Sequence, residues 1–292
     1  CGLGFGLIHD ANRKSNPDLR QSFPRGDDHV FTYECEPRFG ADRACMGVPQ
    51  SYYSKFATWL AERGYQVSTF DYAGMGKSLK ASQLPLNKIS VDVLDWAADA
   101  DWVLSALHDR APNLPLYWIG HSLGGQIIPL VSHERITKAI TIGTGSGYWR
   151  ENSPSLKRIV WFMWYFAVPV STRLVGYFPG KRLNMVGDLP LGVIQQWRRW
   201  CLHPEYVVGV EGEAMRAKYA AVCTPIESFS FTDDEYMSAQ NTASIHGFYT
   251  HAPKTMRRFS PQEVNAPCIG HFGFFRDGFK NSLWQTLLNG LK

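Results

Sequence analysis

The stretch that most constrains this chain is Leu116 to Leu130, which reads Leu-Tyr-Trp-Ile-Gly-His-Ser-Leu-Gly-Gly-Gln-Ile-Ile-Pro-Leu. An apolar run, Leu116 to Ile119, meets Gly120-His121-Ser122-Leu123-Gly124 and then a second apolar segment, which is the order strand, sharp turn, helix. Such a turn holds its serine in a strained conformation with the hydroxyl above the sheet edge, while the flanking glycines let the two backbones approach closely. A larger residue at Gly120 or Gly124 is expected to clash. The five-residue pattern is weak by itself and gains weight from the strand before it, the helix after it and suitable partners downstream.

The rest of the chain supplies material for a sheet around that turn. Tyr53, Phe56, Ala57 and Leu60 share one face of a helix that Gly64 ends. Predicted strands at Tyr65–Phe70, Ala139–Thr144, Ile226–Phe231 and Lys254–Phe259 alternate with helices, among them Val91–His108 and a closing helix over Arg276–Leu291. That alternation predicts an α/β fold, a mostly parallel sheet with helices on both faces. In the first 45 residues, rich in Gly, Arg, Asp and Pro, only His29–Cys35 reads as a strand. The expected organisation is an irregular segment 1–45, a first core part 46–149, a helical aromatic-rich cap 150–222 and a second core part 223–292.

The cap is set apart by texture. Between Arg150 and Val222 ten Lys/Arg stand against five Asp/Glu, so this segment alone exceeds the net charge of +4 of the whole chain. Trp161, Phe162, Trp164, Tyr165, Phe166, Tyr177, Phe178, Trp197 and Trp200 crowd into the same stretch. Such a segment is expected either to wall a pocket for an apolar substrate behind a cationic rim or simply to pack as a peripheral extension of the core.

Composition removes several function classes. A charge of +4 on 292 residues, with no basic run interleaved with aromatics, gives no case for nucleic acid. The six cysteines (1, 35, 45, 201, 223 and 268) contain no Cys-x-x-Cys pair and suggest reduced thiols, hence a cytoplasmic setting. No run reaches the roughly 18 apolar residues of a membrane span. The longest apolar stretch, Ile159 to Val170, is too short. Gly76-Lys77-Ser78 suggests a phosphate loop, but the glycine that pattern requires five residues before Gly76 is Asp71. No metal or organic cofactor is implied.

A serine hydroxyl becomes a useful nucleophile when a base takes its proton and a carboxylate orients that base. After Ser122, only Asp233 and Asp234 leave the carboxyl end of a predicted strand; Asp188 lies in the cap and Asp277 follows every histidine. Asp234 is the preferred acid and Asp233 its backup. His271 sits on a glycine-flanked loop after the last strand, where a base must hang over the elbow, whereas His246 and His251 precede that strand. Donors for a developing oxyanion fall to the backbone N–H groups of Leu123, next to the serine, and Val48, just after Gly47.

Gly47-Val48-Pro49-Gln50 with Tyr52-Tyr53, Asp71-x-x-Gly74-x-Gly76-x-Ser78, Gly120 to Gly125, Asp233-Asp234-Glu235 and Gly270-His271 together resemble the α/β-hydrolase superfamily. More closely, they look like its bacterial predicted hydrolases near the serine aminopeptidase and monoacylglycerol lipase branch. The resemblance covers about residue 46 onward and implies a serine hydrolase of the carboxylesterase type, acting on a small hydrophobic ester. An acyltransferase or thioesterase with the same residues, and a non-catalytic scaffold that only binds such a ligand, are the alternatives. Two positions depart from the family: Ala73 stands where Arg is usual, and Gly40 to Cys45 replaces the apolar strand expected before Gly47.

Overall fold

The computed structural model describes residues 3–10, 48–183 and 187–291. The predicted strand His29–Cys35, the segment Gly40 to Cys45, and Gly47 lie outside the described residues. The first strand is β1, Leu3–Asp10, a glycine-rich stretch in which the sequence gives no strand signal. A 3-10 turn over Gln50–Tyr53 enters α1, Ser54–Ala61, and the chain turns at Gly64 with φ 89° into β2, Tyr65–Thr69. α2 (Gly76–Ser82) and α3 (Val93–Arg110) follow. Asp92 starts α3 with a capping box, its carboxylate accepting from the N–H groups of Leu94 and Asp95.

The elbow strand is β3, Leu116–Ser122, and it passes directly into α4, Leu123–Gln126. Pro129 has no N–H with which to continue that helix back to the Gly125 carbonyl, and the Tyr249 hydroxyl donates to that carbonyl at 3.0 Å. β4 is Lys138–Ile142. Between it and the next sheet strand the chain is mainly helical: α5 (Pro154–Phe162), a π-turn over Met163–Ala167 and α6 (Val168–Val175) run on from one another. A small antiparallel ribbon of β5 (Tyr177–Phe178) and β6 (Leu189–Pro190) leads to α7 (Leu191–Leu202), α8 (Tyr206–Glu211) and α9 (Glu213–Ala221).

The sheet resumes with β7 (Ile226–Phe231), α10 (Ala239–Gly247) and β8 (Lys254–Phe259), followed by the single turn α11 (Gly270–Gly273) and α12 (Leu283–Gly290). The closing helix predicted over Arg276–Leu291 is shorter than expected, because Ser282 at φ −127°, ψ −92° separates a 3-10 turn from α12.

Among the described residues six strands form the main sheet, in the order β2-β1-β3-β4-β7-β8. β3, β4, β7 and β8 pair in parallel, so their carboxyl ends share one edge. β1 pairs antiparallel with both neighbours, Leu3 opposite Ser122 and Gly6 opposite both Thr69 and Ile119, which fills the gap between β2 and the elbow strand. Side chains of β3 alternate between two cores, as a strand covered on both faces requires. Leu116 and Trp118 join α3 and α7 to α9, whereas Tyr117 and Ile119 join Phe56 and Trp59 of α1 and Trp284 and Leu287 of α12.

Candidate active site

Ser122 ends β3 and adopts φ 53°, ψ −112°, a left-handed conformation that a serine occupies only under constraint from its surroundings. The constraint is visible on both sides of the turn. A Cβ at Gly120 would stand 2.4 Å from the Gly124 carbonyl carbon and oxygen and 2.5 Å from the Gly125 nitrogen, all backbone atoms that cannot retreat. The Trp118 indole donates to the Gly124 carbonyl at 3.0 Å, and the Thr144 hydroxyl donates to the Ser122 carbonyl at 3.1 Å. The serine hydroxyl, held by its backbone, is buried and has no hydrogen-bond partner among the described residues.

His271 stands on α11, and its Nδ1 lies 2.8 Å from Asp234 Oδ2. A carboxylate only accepts, so Nδ1 carries the proton and Nε2 presents a lone pair. That Nε2 is also buried without a partner among the described residues. Asp234 follows β7, and its other oxygen accepts from the Tyr236 and Met237 N–H groups, each at 2.8 Å, which fixes the carboxylate's plane. Gly143, at the end of β4 with φ 55°, makes room for the pair: a Cβ there would come within 3.2 Å of His271 Nδ1 and 3.5 Å of Asp234 Oδ2.

Asp233, the alternative acid, faces the backbone instead, accepting the Ile269 N–H at 2.8 Å. Glu235 accepts the His271 N–H at 3.0 Å. All three carboxylates of Asp233-Asp234-Glu235 therefore grip the loop that carries His271, one at the ring and two at the main chain.

A second set of residues, for which the sequence offers no local signal, supports the histidine from below. The His121 Nε2 lies 3.0 Å from the His271 carbonyl oxygen, so it is the protonated nitrogen, and its Nδ1 accepts from the Tyr53 hydroxyl at 3.0 Å. The two imidazole centroids are 5.0 Å apart. Burial, and then the proximity of His271, hold His121 well below the ordinary histidine range, so it stays neutral and adds no positive charge opposing a proton on His271. Burial likewise raises the Tyr53 phenol well above its usual value and keeps it a donor. Tyr52 donates to the Phe272 carbonyl at 2.6 Å and is pushed up to about 12 by burial, with Arg276 opposing.

Leu123 opens α4 immediately after Ser122, and Val48 lies just ahead of the Gln50–Tyr53 turn with its side chain in the core. That turn is anchored by the loop predicted not to bind phosphate. Asp71 accepts the Gln50 N–H at 2.8 Å, its side-chain amide at 3.1 Å and the Lys77 N–H at 2.9 Å, so these donors face a carboxylate of the chain itself. A Cβ at Gly76, where φ is 41°, would collide with the same carboxylate.

The aromatic residues between β4 and β7 divide into two sets. Trp164, Phe178, Trp197 and Trp200 are buried, Trp164 against Trp197 at 4.7 Å, whereas Trp161, Phe162, Tyr165 and Phe166 are about half exposed. The buried set reaches the elbow through Gln126: Trp197 donates to the Tyr206 hydroxyl, Tyr206 to Gln126 Oε1 and Tyr219 to the Gln126 carbonyl. Among the described residues no group of three or more His, Cys, Asp or Glu converges as metal ligands would.

A parallel sheet covered on both faces, with a strained serine turn at its carboxyl edge and an Asp-His pair on the loops beside it, is the architecture of the α/β-hydrolase fold. More narrowly, residues 47–176 match the family model described as serine aminopeptidase, S33. No curated protein matches the chain. Among solved structures, a thermostable carboxyl esterase from Bacillus coagulans shares 12% identity at a TM-score of 0.56, covering 85% of this chain and 87% of that one. A monoacylglycerol lipase from Paleococcus ferrophilus shares 14% at 0.52, covering 84% and 90%. Est816, described as an N-acyl homoserine lactone degrading enzyme, shares 15% at 0.53, covering 85% and 91%. At these identities the likeness is one of fold.

Proposed function

We propose that the chain is a serine hydrolase that cleaves a carboxylic ester of a hydrophobic acyl group through Ser122, His271 and Asp234. The reading rests most heavily on one observation: the Ser122 hydroxyl and the His271 Nε2 are both buried and hydrogen-bonded to no described residue, while every other polar atom of the Asp234-His271 pair is engaged. Buried polar atoms are ordinarily satisfied, and a serine hydroxyl and an imidazole nitrogen left open at one sheet edge are the pair that a proton transfer from serine to histidine needs.

In this mechanism His271 Nε2 takes the Ser122 proton as the hydroxyl oxygen attacks the ester carbonyl carbon. Asp234 holds the Nδ1 proton and stabilises the imidazolium. The negative charge on the former carbonyl oxygen is met by the N–H groups of Leu123 and Val48, each such donor contributing about 3 kcal/mol in the transition state. Collapse breaks the bond to the alcohol, which leaves with the proton from His271. Water, deprotonated by His271, then attacks the acyl-serine, releasing the acid and restoring Ser122. Asp233, Glu235, His121 and Tyr53 act as positioning residues for the base.

The helical segment 150–222 is the cap, seated on the elbow by the Gln126 network. The ester preference draws on the fold shared with the Bacillus coagulans carboxyl esterase and the Paleococcus ferrophilus lipase. No helix among the described residues is long and apolar enough to cross a membrane. Pre-steady-state hydrolysis of a chromogenic short-chain ester tests the mechanism. A burst of alcohol equal to the enzyme concentration, abolished in Ser122→Ala, is the expected result. A folded wild type without burst or turnover would overturn it and leave a ligand-binding scaffold.

A further inference from the structure

The run from Pro154 to Val175 is a helix with two apolar faces. Val160, Met163, Trp164, Val168 and Thr172 recur at spacings of three and four and are buried. The opposite face carries Ile159, Trp161, Phe162, Tyr165, Phe166, Val170 and Leu174, which are 42 to 78% exposed. With Val175 and Leu183 these make up nine of the thirteen large hydrophobic side chains that the described residues expose. An amphipathic helix on a protein surface turns its polar face outward, so an apolar outer face of this extent marks a surface that something else covers.

The charge pattern identifies what covers it. From Asn152 to Gly187 the sequence contains no Asp or Glu, while Lys157, Arg158, Arg173, Lys181 and Arg182 lie at the two ends of the apolar face. Arg158, Arg173, Lys181 and Arg182 are exposed. Tryptophan, tyrosine and phenylalanine in the centre with cations at the margins is the distribution of a segment lying in a bilayer interface, where rings enter the headgroup boundary and cations meet anionic lipid. A second copy of the chain is a poor occupant, because a two-fold contact through this face would set five cations against five with no acid between them. A spanning role is excluded by the buried face, which is committed to the core.

We propose that the outer face of Pro154–Val175 docks the protein on an anionic lipid surface, with Trp161, Phe162, Tyr165, Phe166 and Leu174 entering the interface and the five cations facing the headgroups. Binding requires no chemistry at Ser122 and stands apart from the hydrolase assignment.

The test is co-sedimentation of the protein with sucrose-loaded vesicles of 70% phosphatidylcholine and 30% phosphatidylserine, beside vesicles of phosphatidylcholine alone. The wild type should sediment with the anionic vesicles, less with the neutral ones, and lose binding as salt screens the cations. Phe162→Ser with Phe166→Ser should weaken the association roughly thirtyfold, since two half-exposed rings lose their burial in the interface. Both positions face outward, and an unchanged near-UV spectrum verifies the fold; Leu174→Ser, at the most exposed site, gives an independent variant with a several-fold loss. The proposal is overturned if the wild type ignores anionic vesicles at low salt, if the serine variants bind as well as it does, or if the wild type is a dimer that the variants dissociate without any vesicle binding.

Discussion

Replacing Tyr53 by Phe removes one oxygen and leaves the ring where it packs, edge-on to Phe275 with centroids 4.7 Å apart. What is lost is the only donor to His121 Nδ1 among the described residues, in a bond whose two partners are both buried, Tyr53 at 4% exposure and His121 at 0%. The acceptor left behind cannot be reached by solvent, and an unpaired buried acceptor costs about 2 kcal/mol. Spread over 292 residues, with an unfolding entropy of about 0.6 kcal/mol/K for a chain of this length, that loss lowers the melting temperature by about 3 °C. Urea unfolding of Tyr53→Phe should therefore show a lower midpoint at unchanged slope. The decisive comparison is the same substitution in a His121→Ala background. There the phenol has lost its acceptor, so removing the oxygen should cost nothing or stabilise slightly, giving a coupling of about 2 kcal/mol in the double-mutant cycle. Equal losses in the two backgrounds would show that Tyr53 serves only as core and would refute the relay from Tyr53 through His121 to the His271 carbonyl.

Three further outcomes follow from the geometry. Asp234→Asn can place an amide N–H against His271 Nδ1 and force the proton to Nε2, so ester turnover should fall by about 10³ to 10⁴ in kcat, read by steady-state kinetics. Gly120→Ala sets a methyl group against the backbone of Gly124 and Gly125 and should destabilise by more than about 3 kcal/mol, seen as loss of folded yield or a large shift in urea midpoint. Burial holds His121 well below the ordinary histidine range and His246 at about 4, so the native state binds fewer protons than the unfolded chain once the pH drops below about 6.5. Stability is then full above that pH and falls as the pH decreases, by about 1.4 kcal/mol per pH unit for each histidine, and His246→Gln should halve the slope between pH 6.5 and 5 measured by urea titration.

Much of the fold is legible in the sequence where the signal is local. Ile226–Phe231 and Lys254–Phe259 form strands with the predicted bounds, and the Gly-Ser-Gly turn joins strand to helix because its glycines permit what the backbone contact at Gly120 demands. That Ser122, Asp234 and His271 gather at one sheet edge is also legible, since each follows a strand and parallel strands bring their carboxyl ends together. The insertion of Leu3–Asp10 between β2 and β3 is not legible, because its register joins residues more than a hundred positions apart and its glycines read as loop. Tyr53 looks like any core residue of an amphipathic turn; its function depends on a histidine 68 positions away. Composition locates the aromatic cluster between β4 and β7, but only packing separates Trp164, which is buried, from Trp161 and Phe162, which face outward.

The central claim is that Ser122 is the nucleophile, and intact-mass spectrometry after reaction with a fluorophosphonate tests it most directly. The account predicts one adduct per chain, mapped by peptide sequencing to Ser122, lost in Ser122→Ala and greatly slowed in His271→Ala, which removes the base but leaves the serine. An adduct on another residue, or a folded wild type that remains unlabelled at high reagent concentration, would contradict it.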